Sequence, residues 1–179
     1  MNLYLYLLNG WQQIKDQNSN KAVATQLEFR PNNFLLVNWN TYAGKESSAS
    51  EPTYVGWRFF TDAYFIYSKN KWSMTGSAYV GSQAQSASTA TWWNANVIAQ
   101  YTLTDKLSVV SRIEYFEDGN RVQIVPITTA QGFSAFGSSL GINYKFAENF
   151  LFRTEARVFL SKDDVYLSCL LYTSDAADE

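Results

Sequence analysis

The stretch Trp93-Asn94-Ala95-Asn96-Val97-Ile98-Ala99-Gln100-Tyr101-Thr102-Leu103 decides the fold. After the short turn Thr104-Asp105-Lys106 it continues as Leu107-Ser108-Val109-Val110-Ser111-Arg112-Ile113-Glu114-Tyr115-Phe116. In the first arm Trp93, Ala95, Val97, Ala99, Tyr101 and Leu103 share one parity, while Asn94, Asn96, Ile98, Gln100 and Thr102 share the other. In the second arm Leu107, Val109, Ser111, Ile113 and Tyr115 oppose Ser108, Val110, Arg112, Glu114 and Phe116. Side chains of a strand point alternately to its two sides, so a period of two with unlike faces predicts strands, and helical spacing fails here. Folding the chain at the turn sets Leu103 by Leu107, Tyr101 by Val109, Ile98 by Arg112 and Asn96 by Glu114. Apolar then meets apolar and polar meets polar, as cross-strand pairing requires.

The same alternation recurs outward from this hairpin. It predicts strands at Leu3–Leu8, Lys21–Arg30, Leu35–Tyr42, Tyr54–Tyr67, Trp72–Gln83, Phe133–Phe146 and Phe150–Leu160, nine with the hairpin itself. Folding at Ser68–Lys71 sets Tyr67 by Trp72, at Ala147–Asn149 Tyr144 by Phe152, and at Pro31–Asn33 Leu27 by Val37. Short turns at these places alternate with long polar loops at Gln12–Asn20, Ala43–Thr53, Ala84–Ala90, Glu117–Gly132 and from Ser161 onward. Long connections at one end and short ones at the other are the layout of an antiparallel up-and-down transmembrane β-barrel. The fold class expected is therefore all-β, a partial barrel of about nine strands occupying residues 1–168.

Composition narrows the function. The chain has 179 residues, 14 Lys+Arg against 16 Asp+Glu, one cysteine and no histidine, with 6 Trp, 12 Tyr and 12 Phe. The balanced charge argues against nucleic-acid binding, and the lack of histidine removes the commonest general base and metal ligand. No catalytic residue, metal ligand or cofactor is expected. Loop carboxylates Asp118, Asp163 and Asp164 lack the spacing of a calcium loop. Glu114 and Glu155 stand on different strands beside arginines, a poor setting for paired acid–base work.

Two solvents are open to the apolar face. A soluble barrel or sandwich would bury it, whereas a membrane barrel turns it to lipid and encloses the polar face. Strands of about 10 to 14 residues exceed the usual 5 to 6 and reach the 9–11 needed for a tilted crossing. Aromatic residues near strand ends suggest two interfacial girdles: Trp39, Trp57, Trp93 and Tyr115, with Tyr42, Tyr54 and Trp92, toward the loops; Tyr67, Trp72, Tyr101, Tyr144, Phe146 and Phe150 toward the turns. The opposite parity collects the residues expected to line a pore. These are Glu28, Arg30, Asn38, Asn40, Arg58, Asp62, Asn94, Asn96, Gln100, Arg112, Glu114, Asn143, Lys145, Arg153, Glu155 and Arg157. Their mixed signs suit a constriction that passes small hydrophilic solutes, or else pairs that brace the wall. The apolar run Val122-Gln123-Ile124-Val125-Pro126-Ile127 is too apolar for an ordinary solvated loop, and is expected to fold inward as a partial plug or to pack on the rim.

Certain runs resemble a known family. Asn9-Gly10-Trp11-Gln12 with Asp16-Gln17-Asn18 and Lys21, then Asn40 to Gly44 with Glu46, then Arg58-Phe59-Phe60-Thr61-Asp62-Ala63-Tyr64, are similar to the β-barrel porin-2 (OmpL-like) family of Gram-negative outer membranes, especially Bacteroidetes-type members. Glu114-Tyr115-Phe116-Glu117-Asp118-Gly119 and Glu155-Ala156-Arg157 carry the same resemblance, which covers residues 3 to about 167. It implies a larger barrel in the outer membrane, with lipid and small hydrophilic solutes as its partners and passive diffusion as its role. No catalytic residue comes with it, and nothing in the pattern assigns an oligomeric state. The alternatives of another class are a non-conducting scaffold or adhesion barrel and a soluble all-β binding domain. Met1 runs directly into strand-like Asn2–Leu8 without a basic leader, and nine is odd for a barrel, so an internal piece of a longer chain is expected. Residues 169–179 break the pattern and resemble translated sequencing-adapter read-through, a non-native or disordered tail that would make Cys169 foreign.

Overall fold

The computed structural model describes residues 1–11, 20–125 and 132–161. They form one antiparallel sheet in strict sequence order: β1 (Asn2–Leu8), β2 (Ala22–Asn32), β3 (Leu35–Glu46), β4 (Gly56–Lys69), β5 (Trp72–Ala84), β6 (Thr89–Thr104), β7 (Leu107–Asp118), β8 (Phe133–Ala147) and β9 (Phe150–Ser161). β1 and β9 are its two edges. The tail 169–179, together with Asp163 and Asp164, lies outside the described residues.

Four connections are tight pairs, Asn33–Phe34, Asn70–Lys71, Asp105–Lys106 and Glu148–Asn149, and all lie at one end of the sheet. Asn70 takes the left-handed conformation (φ 56°), which asparagine tolerates better than most residues. The other three turns instead carry a register shift beside them, between Phe29 and Asn32, Thr102 and Thr104, and Lys145 and Ala147. Pro31 falls in the first of these irregular stretches, where its missing N–H is tolerated.

The pairing agrees with the sequence in face everywhere and in register at two turns. Tyr101 pairs with Val109, Ile98 with Arg112, Asn96 with Glu114 and Tyr144 with Phe152, as expected. Leu103 departs from its expected partner, because Thr104 is the residue that meets Leu107. Tyr67 pairs with Met74 rather than Trp72, and Leu27 with Trp39 rather than Val37. Both turns are shorter and later than read, with strand continuing through Lys69 and Asn32, and a slip of two preserves the face. The expected long loop at Ala84–Ala90 shrinks for a similar reason. Gln83 pairs with Ala90 and Ala84 with Thr89, which leaves 85–88 as the connection.

The two faces are chemically unlike. One row of the apolar face runs Leu27, Trp39, Ala63, Ala78, Ala95, Tyr115, Phe136 and Leu160 across eight strands. The next runs Phe29, Val37, Phe65, Gly76, Val97, Ile113, Ser138 and Val158. Within the described strands, the charged residues of this face stand at strand ends: Lys45 and Glu117 at the loop end, Lys69 at the turn end. Lys45 lies 5.8 Å over the Trp57 ring and Lys69 4.5 Å over Phe34, while Tyr115 donates its hydroxyl to Glu117 at 2.5 Å. Several hydroxyls in the middle of the face are hydrogen-bonded. Thr25 and Thr41 share a 2.6 Å bond, Trp39 Nε1 donates to Thr61 Oγ1 at 2.7 Å, and Thr61 donates to the Asn40 carbonyl at 2.9 Å.

Burial is the reverse of a soluble sheet. Most of the exposed large hydrophobic residues of the strands, Leu5, Phe59, Trp72, Val97, Ile113 and Leu140 among them, belong to the apolar face, while Tyr4, Tyr6, Ile66, Leu151 and Phe159 stand exposed on the polar one. The buried set is mostly polar, including Asn38, Glu46, Arg58, Gln83, Ser108, Asp118 and Ser134.

Candidate pore-lining face

Pairing places fifteen of the sixteen residues read as lumen-facing on the one polar face; Arg30 stands in the irregular stretch between Phe29 and Asn32 and is tied to that face by its ion pair with Glu28. Glu28, Asn38, Tyr64, Ser77, Asn96 and Glu114 form one row, and Gln26, Asn40, Asp62, Tyr79, Asn94 and Phe116 the next. Within the face they separate into three groups.

The middle is a network of neutral amides. Asn40 Nδ2 donates to Asp62 at 3.0 Å, Asn96 Nδ2 to Ser77 at 2.7 Å and to Asn94 at 3.2 Å, and Asn94 Nδ2 to the Tyr115 carbonyl at 2.8 Å. Glu28 and Arg30 pair nearby at 3.2 Å. Asn38 is fully buried, and neither of its amide atoms has a hydrogen-bond partner among the described residues.

The second group lies on β7–β9, where Arg112, Glu114, Asn143, Lys145, Arg153, Glu155 and Arg157 come together. Glu114 and Arg157 form an ion pair across β8. Gly137 makes room for it: a Cβ there would stand 2.6 Å from the Glu114 carboxylate and 3.0 Å from the Phe159 ring. Both arms of the charge group were legible, but the glycine notch between them is a feature of the fold.

The third group corrects the expectation for Arg58. Its side chain does not stand free on the wall; it is buried in a cap at the loop end. Nε donates to Gln83 at 2.7 Å and Nη2 to the Ser47 carbonyl at 2.9 Å, and the guanidinium carbon lies 5.5 and 5.4 Å from the Trp11 and Trp92 rings. Trp11 meets Tyr42 and Phe60 edge-on at 5.0 and 4.8 Å, and its backbone N–H donates to Glu46 at 2.6 Å. Tyr42 and Trp92, placed by sequence among the girdle rings, are therefore interior: they are 7% and 1% exposed and lie on the polar face. Trp39 also departs from its expected place, since it pairs with Ala63 at mid-strand. Of the other proposed girdle rings of the strands, Trp57, Trp72, Trp93, Tyr144, Phe146 and Phe150 are exposed on the apolar side or at its turn, and Tyr67, Tyr101 and Tyr115 are half-buried there.

The cap recruits the loop between β7 and β8. Asp118 is fully buried and accepts the N–H groups of Val122, Gln123 and Ile124 at 2.7–2.9 Å. It thus serves the backbone and is no free metal ligand. Val122 packs with Ala90 and Trp92, and Phe60, Tyr79 and Phe116 lie against them. Of the run expected to fold inward or to pack on the rim, Val122 is buried at the loop end, Val125 is exposed, and Pro126 and Ile127 lie outside the described residues. The β3–β4 loop clasps it, with Ala49 N–H donating to the Val122 carbonyl at 2.9 Å. Among the described residues no group of three or more His, Cys, Asp or Glu is placed to hold a metal.

Gly81 admits Trp92 to this cap. A Cβ on Gly81 would lie 2.1 Å from the indole, which has no solvent to move into. Gly81→Val is expected to cost about 1–3 kcal/mol by overpacking, read as a lower urea midpoint of the folded protein in detergent. An unchanged midpoint would show that Trp92 can leave its seat freely.

Sequential antiparallel strands with one apolar face charged only at its ends, one polar face and all tight turns at one end form the wall of an up-and-down β-barrel. The chain belongs to the family described as "Putative beta-barrel porin-2, OmpL-like", whose model matches residues 1–172. That match reaches four residues into the 169–179 segment. No curated protein and no solved structure matches the chain.

Proposed function

We propose that the protein is an outer-membrane channel for passive diffusion of small hydrophilic solutes, with no catalytic step. The observation that carries this reading is the exposure of the apolar face, whose charges are confined to its two ends, against a polar face that carries the strands' other charges and is buried at its loop end. Water would penalise such a surface, and a bilayer favours it; Lys45 with Trp57 and Lys69 with Phe34 fit the two interfaces. The polar face supplies amides and charges of both signs for hydrated solutes. The full-length protein reconstituted in a planar bilayer is expected to give stepwise conductance. Recovery in the aqueous phase on detergent partitioning would sink the membrane assignment and favour a soluble binding domain.

A second reading, a non-conducting scaffold, draws on the cap at the loop end. Here a deletion decides. Gly132 approaches Gly119 closely, a Cβ on the former falling 2.4 Å from the carbonyl of the latter, so removing residues 120–131 joins backbones already adjacent. Larger unitary conductance in the deletion is expected if the cap narrows an open pore. Conductance unchanged from the parent would rule out the plug role.

A further inference from the structure

Charge is unevenly balanced along the polar face. Around β2–β5 each ionised side chain has a companion: Glu28 has Arg30, Asp62 has the Asn40 amide, and Arg58 has Gln83 and the Ser47 carbonyl. On β7–β9 Glu114 is taken by Arg157. Arg112 and Arg153, by contrast, have no hydrogen-bond or ion-pair partner among the described residues. These two guanidinium-bearing residues border one depression of about 210 Å³ on the polar face. Gln100, Ser139 and Asn143 add polar groups to its wall, and Gly141 leaves its floor without a side chain. Glu155 is the carboxylate among the lining residues, and Lys145 follows two positions after Asn143 on the same face. Cations therefore exceed anions locally.

We propose that this depression is a weak binding step for small oxyanions, carboxylate or phosphate, on the conduction path, and that it gives the channel an anion preference. The proposal rests on the porin reading and names its solute class. A guanidinium presents a planar fork of donors that matches the two oxygens of such a group, and amide and hydroxyl neighbours complete the shell. Glu155 repels the same ligand, which keeps the site shallow. Conduction needs that compromise, since an ion that binds must also leave.

The test measures reversal potentials of the full-length protein across a potassium chloride gradient, for the parent, Arg112→Gln/Arg153→Gln and, as comparison, Lys71→Gln in a turn. The parent is expected to favour chloride, the double variant to lose about tenfold of that ratio, and the turn variant to keep it. Added inorganic phosphate or succinate should reduce parent current and leave the double variant's current unaffected; a response to one of them alone distinguishes phosphate from carboxylate. A conducting channel whose ion preference is the same in parent and double variant overturns the anion step while leaving the porin reading standing. Absence of conductance overturns the porin reading instead, and a calorimetric phosphate titration of the detergent-folded protein then decides the site. Heat present in the parent and lost in the double variant supports it; no heat in the parent refutes it.

Discussion

Val97→Arg is expected to destabilise the folded protein in lipid by about 2–4 kcal/mol, the cost of an arginine at the middle of a lipid-facing strand. Val97 lies at the centre of β6, between Gly76 and Ile113, and is 44% exposed. In water such a half-exposed valine would accept arginine almost freely, because surface substitutions usually stay within about 0.5 kcal/mol. The comparison is Thr75→Arg on the neighbouring strand, which faces the polar side between Ile66 and Ile98. On the channel reading it should cost less than about 1 kcal/mol, since its charge would stay on the wet side of the wall. Urea unfolding in lipid vesicles reads both values. Equal effects at the two positions would contradict the assignment of lipid to the apolar face.

Arg58→Leu should carry the other large penalty, about 3–5 kcal/mol, because it removes one member of a buried polar set and leaves the rest unpaired. The Gln83 side-chain oxygen and the Ser47 carbonyl both lose their donor. Glu46, which already accepts from Trp11 N–H and the Tyr42 hydroxyl, loses the nearby positive charge. The rings of Trp11 and Trp92 lose the cation between them. Arg58→Lys should recover only part of the loss, since an ammonium cannot serve Gln83 and the Ser47 carbonyl with the same fork. The measurable pair is the unfolding midpoint and the fluorescence of the tryptophans, which shifts red if the cap admits water. A midpoint and an emission maximum identical to the parent would mean that the cap is held together by its apolar contacts alone.

How much of this was legible follows from the distance over which each feature is decided. Facing is local: a period of two needs nothing beyond neighbouring residues, so Val97 and Ile98 could be assigned to opposite sides at once. Register is decided at the turn. It was readable at Asp105–Lys106, but slipped by two at Asn70–Lys71, where strand runs to Lys69 and one asparagine takes a left-handed conformation. The cap was not readable. Whether Trp92 joins an interfacial girdle or turns inward depends on Gly81 on the next strand and on Val122 in a loop far along the chain. The same holds for Tyr42 and Arg58, whose surroundings come from Trp11 and the β3–β4 loop. A signal did exist: in Trp92-Trp93 the two rings must face opposite sides, so one of them had to be interior. The charge group on β7–β9 lay between these cases, with its members visible and its pairing, Glu114 to Arg157 over Gly137, set by three strands together.

The clasp between the β3–β4 and β7–β8 loops bears on the order of assembly. Every strand pairing in the sheet joins sequence neighbours, so the ladder can close hairpin by hairpin over short chain loops. The Ser50–Asn120 bond instead spans 70 positions, and its ends meet only after the intervening strands have formed. Loop-closure entropy therefore makes the cap a late acquisition in folding. The molecule is expected to pass through a stage with its wall built and its mouth still uncovered, in which Trp92 is wet. A slow final rise of tryptophan burial, after strand content has reached its end value, would be its kinetic trace.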